Sequence, residues 1–464
     1  MLSFLETFQI VFQLIFAGAF GACVGSLVNV LVYRLPLGLG VVTPPSRCPN
    51  CTTRLTWREN IPIFGWIMLR GRCRFCGVRI SPEYPIVEAA VAALFMLLYA
   101  QCYLTPDPGW NASGWSVLRP EWASGGFAAS WGPFVVVLVL MGSLTAMTIV
   151  DAKTFTIPLQ LTWFPALVAL IIHPLFAVYL GVAGRRLAHA PGWDWSLATP
   201  GRHGWEVIGA SIGGVVGLGI ANLLLAGGLI RRSFADYDEW ERKTFPQREP
   251  VELDAATGPV LMDALPTSPD ALVSDQASRA GETVADVWVQ YPRARREMFK
   301  ELVFLAPPAT LAMVGGWIAH HFAGPWTPGS TPLSDVPAVG APLWLSVLAG
   351  VLWGYLIGGG VVWLVRILGS LAFGKEAMGL GDVHLMAAVG ACLGWVDATL
   401  AFFGAAFVGL AWWVFGLVLG GRVKQSMPYG PFLAVATLLV FVLKPWVEAG
   451  LSAVMPAWAP IDLP

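Results

Sequence analysis

The chain has 464 residues, of which 56% are hydrophobic and 12% charged, with a formal net charge of −1 at pH 7; an ordinary soluble domain carries about 25% charged residues. With a mean hydropathy of +0.66, this excludes a row of soluble domains, a disordered chain, a secreted disulfide scaffold and a basic nucleic-acid-binding domain, so no nucleic-acid partner is expected. The reading is an all-α polytopic membrane protein.

Ten segments have the character of membrane spans: 6–33, 84–103, 131–150, 157–181, 205–230, 302–322, 342–370, 383–395, 397–421 and 430–450. The first has no basic residue ahead of it and no small-residue cleavage site, so it is expected to be retained and not removed as a signal peptide. Val383–Trp395 is only 13 residues long, which makes it a half-span or a re-entrant element. Charge is concentrated between the spans, since Arg34–Glu83 and Arg231–Glu301 hold 34 of the charged side chains. The first of these loops has eight Arg against two acids, which sets it on the cytoplasmic side. Alternate crossing then puts Asp151–Thr156, Arg231–Glu301, the loop ending at Asp382, and Arg422 with Lys424 on that side too. Arg185, Arg186 and Arg202 fall outside, a mild violation. The chain divides into a first span (1–33), a cytoplasmic cysteine loop (34–83), spans carrying Asp151 (84–230), a charged cytoplasmic insertion (231–301) and spans carrying Asp382 (302–464).

The loop 34–83 contains Cys48-x-x-Cys51 and Cys73-x-x-Cys76. Each pair lets two thiolates converge on one ion, and two such turns close a tetrahedral all-sulfur site. Arg47, Arg54, Arg70, Arg72, Arg74 and Arg79 crowd the loop and would offset the charge of a four-thiolate zinc centre. Two disulfides or four free thiols are the other readings; a reducing cytoplasm disfavours the disulfides. With four thiolates and no open position, the zinc would be structural. Cys23, Cys102 and Cys392 sit in or beside apolar spans as core residues.

The insertion 231–301 has 14 acids and 10 bases. Val251–Gly281 reads as flexible linker, and Tyr291–Leu305 as a helix entering the membrane at its interface. The insertion is either a solvated extension or a docking segment.

Acids at span ends are costly and mark function. Asp151 ends the run Leu144–Val150, and Asp382 closes Met378-Gly379-Leu380-Gly381-Asp382. Both are expected at the cytoplasmic ends of spans. A pair of carboxylates at one membrane depth suits an aspartyl protease, one activating water and the other polarising the scissile carbonyl. Gly379 and Gly381 would leave room for an extended substrate. The plainer reading is two helix-end acids facing water. Asp397 heads a helix on the other side and is read as structural.

The sequence resembles the bacterial type IV prepilin peptidases, the prepilin leader peptidase/N-methyltransferases. The similar residues include Gly25-Ser26, Tyr33-Arg34-Leu35-Pro36, Arg47-Cys48-Pro49, Arg70-Gly71-Arg72-Cys73-Arg74, Tyr84-Pro85 with Glu88, Asp151 with Ile157-Pro158, Glu376–Val383, and Pro428-Tyr429-Gly430-Pro431. The resemblance implies a G-x-G-D aspartyl protease in the bacterial inner membrane, with Asp151 and Asp382 as catalytic pair at the cytoplasmic face. Its substrates would be prepilins and pseudopilins, cut after a Gly that ends a short basic leader. It further implies methylation of the new N-terminus with S-adenosylmethionine, an activity associated with the cysteine loop. Membrane lipids and components of pilus or type II secretion assembly would be its partners.

Three residues depart from the family's pattern: Leu159 follows Ile157-Pro158 where an acid or amide is usual, His384 stands where Lys is common, and Glu83 where Arg is frequent. His384 would pair with the two aspartates, steer an acidic substrate group, or serve only as a polar interfacial residue. The largest departure is the stretch 205–322, which adds two spans and the charged loop. Trp205–Ile230 has the Gly-rich look of Leu343–Gly369, from partial duplication or from small-residue helix packing. Two rival classes stay open: an ion-coupled transporter, which would want acids near mid-span, and a non-enzymatic assembly platform, which needs neither aspartate.

Overall fold

A computed structural model of the chain describes residues 4–43, 45–48, 50–105, 118–183, 197, 199–200, 204–244, 293–323, 341–419 and 428–455. The expected linker Val251–Gly281, Arg185, Arg186, Arg202, Arg422 and Lys424 lie outside the described residues. Among the described residues the secondary structure is helical, apart from two isolated bridges in the cysteine loop. The helices are α1 (Phe4–Arg34), α2 (Phe64–Met68), α3 (Glu83–Tyr99), α4 (Phe127–Thr154), α5 (Leu159–Val182), α6 (Trp205–Ala226) and α7 (Tyr237–Thr244). They continue with α8 (Ala294–Ala323), α9 (Leu343–Phe373), α10 (Leu380–Leu393), α11 (Trp395–Val418), α12 (Gly430–Val442) and α13 (Lys444–Val454).

Eight of these helices are long and apolar enough to cross a membrane: α1, α3 with its π-helical extension to Leu104, α4, α5, α6, α8, α9 and α11. The two remaining expected spans take other forms. Residues 383–393 lie in α10, whose 14 residues reach about 21 Å, short of a ~30 Å hydrocarbon core. Gly394, at φ 93°, turns the chain straight into α11. From Asp382 to Leu393 every residue of α10 except His384 is buried, so this short helix is solvated by protein and needs no lipid-facing length. Residues 430–450 are broken into α12 and α13, bent by 89°. Pro445 in the first turn of α13 cannot continue the preceding helix.

α10 is the axis of the bundle, packed by α4, α5, α9, α11 and α12. α1 and α3 form a pair against α4, while α6 and α8 form a second pair against α9. The Gly-rich helices α6 and α9 both use their glycines for close packing. A Cβ on Gly213 would sit 2.0 Å from Leu311 O, and one on Gly354 would sit 2.0 Å from Gly390 O. Small-residue packing thus accounts for both Gly-rich spans. The C-terminal ends of α1, α4 and α9 and the N-terminal ends of α3, α5, α8, α10 and α12 gather at one end of the bundle, where both charged segments also attach.

Candidate functional site

Asp151 lies in the last turn of α4 and Asp382 in the first turn of α10; both are buried, at 5% and 8% exposure. The backbone N–H of Gly379, the residue before α10, lies close to the Asp382 carboxylate. An acid at the third helical position commonly reaches back in this way to close the open helix start, and the α10 dipole favours an anion there. The backbone N–H of Gly430, the first residue of α12, lies close to the Asp151 carboxylate. Each carboxylate is therefore held by the start of a helix, and the two are close enough to interact electrostatically. Among the described residues neither forms an ion pair with Lys or Arg.

Two glycines make this approach feasible. A Cβ on Gly430 would lie 2.4 Å from Asp151 Oδ2, so any side chain there would displace the carboxylate. A Cβ on Gly381 would lie 3.1 Å from Ile157. Ile157 also lies against Gly430 and so fills the space between the starts of α10 and α12. It is brought there because α4 ends at Phe155 in the left-handed conformation, φ 55°, which reverses the chain toward Ile157-Pro158. Gly379 and Leu380 are exposed, so the paired acids lie just beneath an open loop. Such a pair can act as base and acid toward a water and a carbonyl. His384 is half-buried on α10, and among the described residues it makes no hydrogen bond or ion pair with Asp151 or Asp382.

Two parts of this site were not singled out from sequence. Gly430 belongs to the Pro428–Pro431 motif, but its role depends on a contact with a helix far away in the chain. Arg366, on α9, is 2% exposed and binds the loop ahead of Asp382. Its Nη1 donates to Glu376 Oε1 at 2.6 Å and to the Met378 carbonyl, and its Nη2 donates to Glu301 Oε1 at 3.0 Å. A buried Arg inside an apolar span is itself a signal of function or of a buried partner. Asp397 is buried in the first turn of α11 and pairs with Lys444 Nζ at 3.2 Å, an ion-pair role in place of a capping bond.

The cysteine loop is two copies of one turn. Cys48 N–H donates to Thr53 O and Thr52 N–H to Cys48 O; likewise Cys73 N–H donates to Val78 O and Gly77 N–H to Cys73 O, all at 2.9 Å. Thr52 and Gly77 both have positive φ, 54° and 72°. The Arg47–Arg54 and Arg72–Arg79 bridges close the two turns. The four sulfurs lie within 4.8 Å of one another, with Cys48–Cys76 at 3.8 Å and Cys51–Cys73 at 3.9 Å. A tetrahedral zinc with Zn–S near 2.3 Å needs sulfurs about 3.8 Å apart, so the four residues fit one ion. Burial pushes the Cys48 thiol up to about 12, while the Val78 backbone N–H leads in drawing Cys76 down to about 6. The loop is tied to α3 by Ile63 N–H to Glu88 Oε2 (2.6 Å) and braced within itself by Trp66 Nε1 to Ile80 O (3.1 Å). Asn29 of α1 reaches Tyr84 O at 3.1 Å.

Residues 19–102 match the Bacterial Peptidase A24 N-terminal domain, and residues 333–414 match the Type IV leader peptidase family. The first region holds the four cysteines and the second holds Asp382; Asp151 lies between them. A prepilin leader peptidase/N-methyltransferase of Klebsiella pneumoniae is 33% identical over 161 residues, 33% of this chain and 59% of the relative. Proteins of the same name from Myxococcus xanthus (strain DK1622) and Pectobacterium carotovorum subsp. carotovorum are 35% and 32% identical. Those matches cover 29% of this chain in each case and 32% and 46% of the relatives. The matched stretches thus span less than two thirds of the length of these relatives. No solved structure matches the chain.

Proposed function

We propose that this chain, which carries the A24 N-terminal region and the leader peptidase region of the type IV leader peptidase family, is a membrane aspartic endopeptidase for prepilins and pseudopilins. The observation that carries the reading is the meeting of Asp151 and Asp382, from separate helices, at one buried end of the bundle. In this scheme the substrate's apolar segment lies against the spans and its leader stays at the cytoplasmic face of the inner membrane. The scissile bond reaches the two aspartates through the exposed Gly379–Leu380 loop. One carboxylate takes a proton from water, and the other, protonated, hydrogen-bonds the scissile carbonyl as the tetrahedral intermediate forms. The Gly379 and Gly430 N–H groups keep both carboxylates in register through the step. The acids' place at helix ends, away from mid-span, supports hydrolysis over ion transport.

The relatives' names and the match over 19–102 support a second activity, N-methylation of the new N-terminus with S-adenosylmethionine as donor. Cys48, Cys51, Cys73 and Cys76 would hold a structural zinc ion, which would fix the fold of a loop too short to bury a core. Lipid contacts follow from the apolar surfaces of the spans, and pilus or type II secretion components are the natural assembly partners of such an enzyme. His384 would face the substrate side of α10.

The decisive experiment incubates the purified protein with a prepilin bearing its basic leader and measures shortening by mass spectrometry. Wild type should remove the leader, and Asp151→Ala and Asp382→Ala should each abolish removal. Near-normal cleavage by either variant would show that the pair is not catalytic.

A further inference from the structure

Arg366 is buried at a depth where an unpaired guanidinium would be prohibitive. It has two carboxylate partners: Glu376, at 2.6 Å and inside the matched region 333–414, and Glu301, which lies outside both regions that match the family models. Glu301, on the inserted helix α8, is 3% exposed and meets Arg366 through two oxygens, at 3.0 Å to Nη2 and 3.2 Å to Nε. Trp363 Nε1 donates to the same carboxylate at 2.7 Å. Phe234, from the segment before α7, lays its ring 5.4 Å from the guanidinium carbon, and its N–H donates to Glu297 Oε2 at 2.8 Å. Arg295 of α8 donates to Leu371 O and Ala372 O, at 3.0 and 3.3 Å, in the last turn of α9. On its other side Arg366 binds the Met378 carbonyl and Glu376, the residues that lead into Gly379 and Asp382.

We infer that Glu301 and Arg366 are positioning residues for the catalytic loop, so that the inserted helix α8 is a working part of the active site and not an appended extension. The inference rests on the peptidase reading. Glu301, which shares neutralisation of the guanidinium with Glu376, aims it from the buried side, and the guanidinium fixes the carbonyl of Met378. That carbonyl sets the path of the backbone through Gly379, whose N–H holds Asp382. With the Glu301 charge gone, the Nε and Nη2 side of the guanidinium loses its anchor, the group is free to swing about its remaining partner Glu376, and the loop loses its fixed course. An error of about 1 Å in such an assembly can cost about a hundredfold in rate. Substrate binding would be little affected, because Arg366 and Glu301 are both enclosed.

The test compares wild type, Glu301→Gln, Glu301→Asp and Arg366→Lys in full-length protein, using prepilin cleavage to separate kcat from KM. Melting temperature in detergent and metal bound at the four-cysteine loop report independently on folding. Glu301→Gln should lower kcat about ten- to a hundredfold with KM within about twofold, and with metal content unchanged. Glu301→Asp should recover part of kcat, since the charge returns, whereas Arg366→Lys should not, because an ammonium cannot hold Glu301 and Met378 together. Wild-type kcat in Glu301→Gln would overturn the inference while leaving the peptidase reading intact. Equal loss of kcat, metal content and melting temperature in all three variants would also overturn it, marking a purely structural pair. Wild type that leaves the prepilin whole would overturn the peptidase reading itself.

Discussion

Two groups of buried acids lie at the same end of this bundle, and their partners differ. Glu301 is matched by a full positive charge from Arg366, with Trp363 completing its hydrogen bonds. Asp151 and Asp382 each have one backbone N–H at the start of a helix close by and lie near one another, with no direct ion pair among the described residues, although the Arg366 charge also acts on Asp382. The first arrangement neutralises carboxylate charge and locks geometry. The second holds two carboxylates in place while leaving oxygens for a water and a carbonyl. Burial alone therefore does not mark the acids suited to chemistry; the kind of donor that holds them does.

The strongest way to break this comparison is to remove charge from each group without changing shape. Asp151→Asn or Asp382→Asn should lower prepilin cleavage by on the order of a thousandfold or more, the range of general acid–base catalysis. Glu376→Gln, which alters only the half-exposed partner of Arg366, should stay within about tenfold. Comparable losses in all three would erase the distinction. Gly430→Ala sharpens it from the other side. The added methyl would meet Asp151 Oδ2 at 2.4 Å and must push the carboxylate off its N–H donor. A fall in kcat of about a hundredfold with intact folding is expected, read in the same cleavage assay against melting temperature.

How much of this was legible in the sequence follows from the range of each contact. The Cys-x-x-Cys pairs and the G-x-G-D segment are local patterns, and their spacing is enough to expect two turns that bring four sulfurs together and an acid at the end of a span. The helices themselves were legible because lipid demands continuous apolar runs. The brevity of Val383–Trp395 leaves a half-span and a re-entrant element open, and the burial of α10 by five neighbours depends on the whole bundle. Gly430 against Asp151, and Glu301 against Arg366, join residues from distant spans. No periodicity along one helix announces such pairings. Arg366 left the one usable trace, a charge inside an apolar run, and the trace did not name its partner.

The cysteine loop extends the comparison to a region where charge should matter less for cleavage. Cys73→Ser removes one of four thiolates and should release the metal, measured by elemental analysis of the purified protein. Cleavage should remain within about threefold, because the described ion pair between the loop and the end of α4 that carries Asp151, Glu83 with Lys153, is half exposed. Loss of cleavage equal to that of the aspartate variants would mean that the loop supports the dyad directly.

The smallest effect expected is at that contact itself. Glu83, at the start of α3, pairs with Lys153, two residues beyond Asp151, and both side chains are half exposed, at 49% and 50%. A salt bridge so open to water contributes about 0–1 kcal/mol, and salt screens it further. It is an exposed single-contact Lys pair where Glu301–Arg366 is a buried two-oxygen Arg pair, which makes it a control for enclosed, geometry-fixing charge. Glu83→Gln should therefore change cleavage by less than about threefold and shift melting little. Raising the ionic strength should weaken even that difference, since the pair is already screened in wild type. The same salt titration on Glu301→Gln should leave its defect unchanged, because no counterion reaches a pair that is almost wholly buried. A Glu83→Gln defect as large and as salt-insensitive as that of Glu301→Gln would mean that charge near the aspartates matters irrespective of burial.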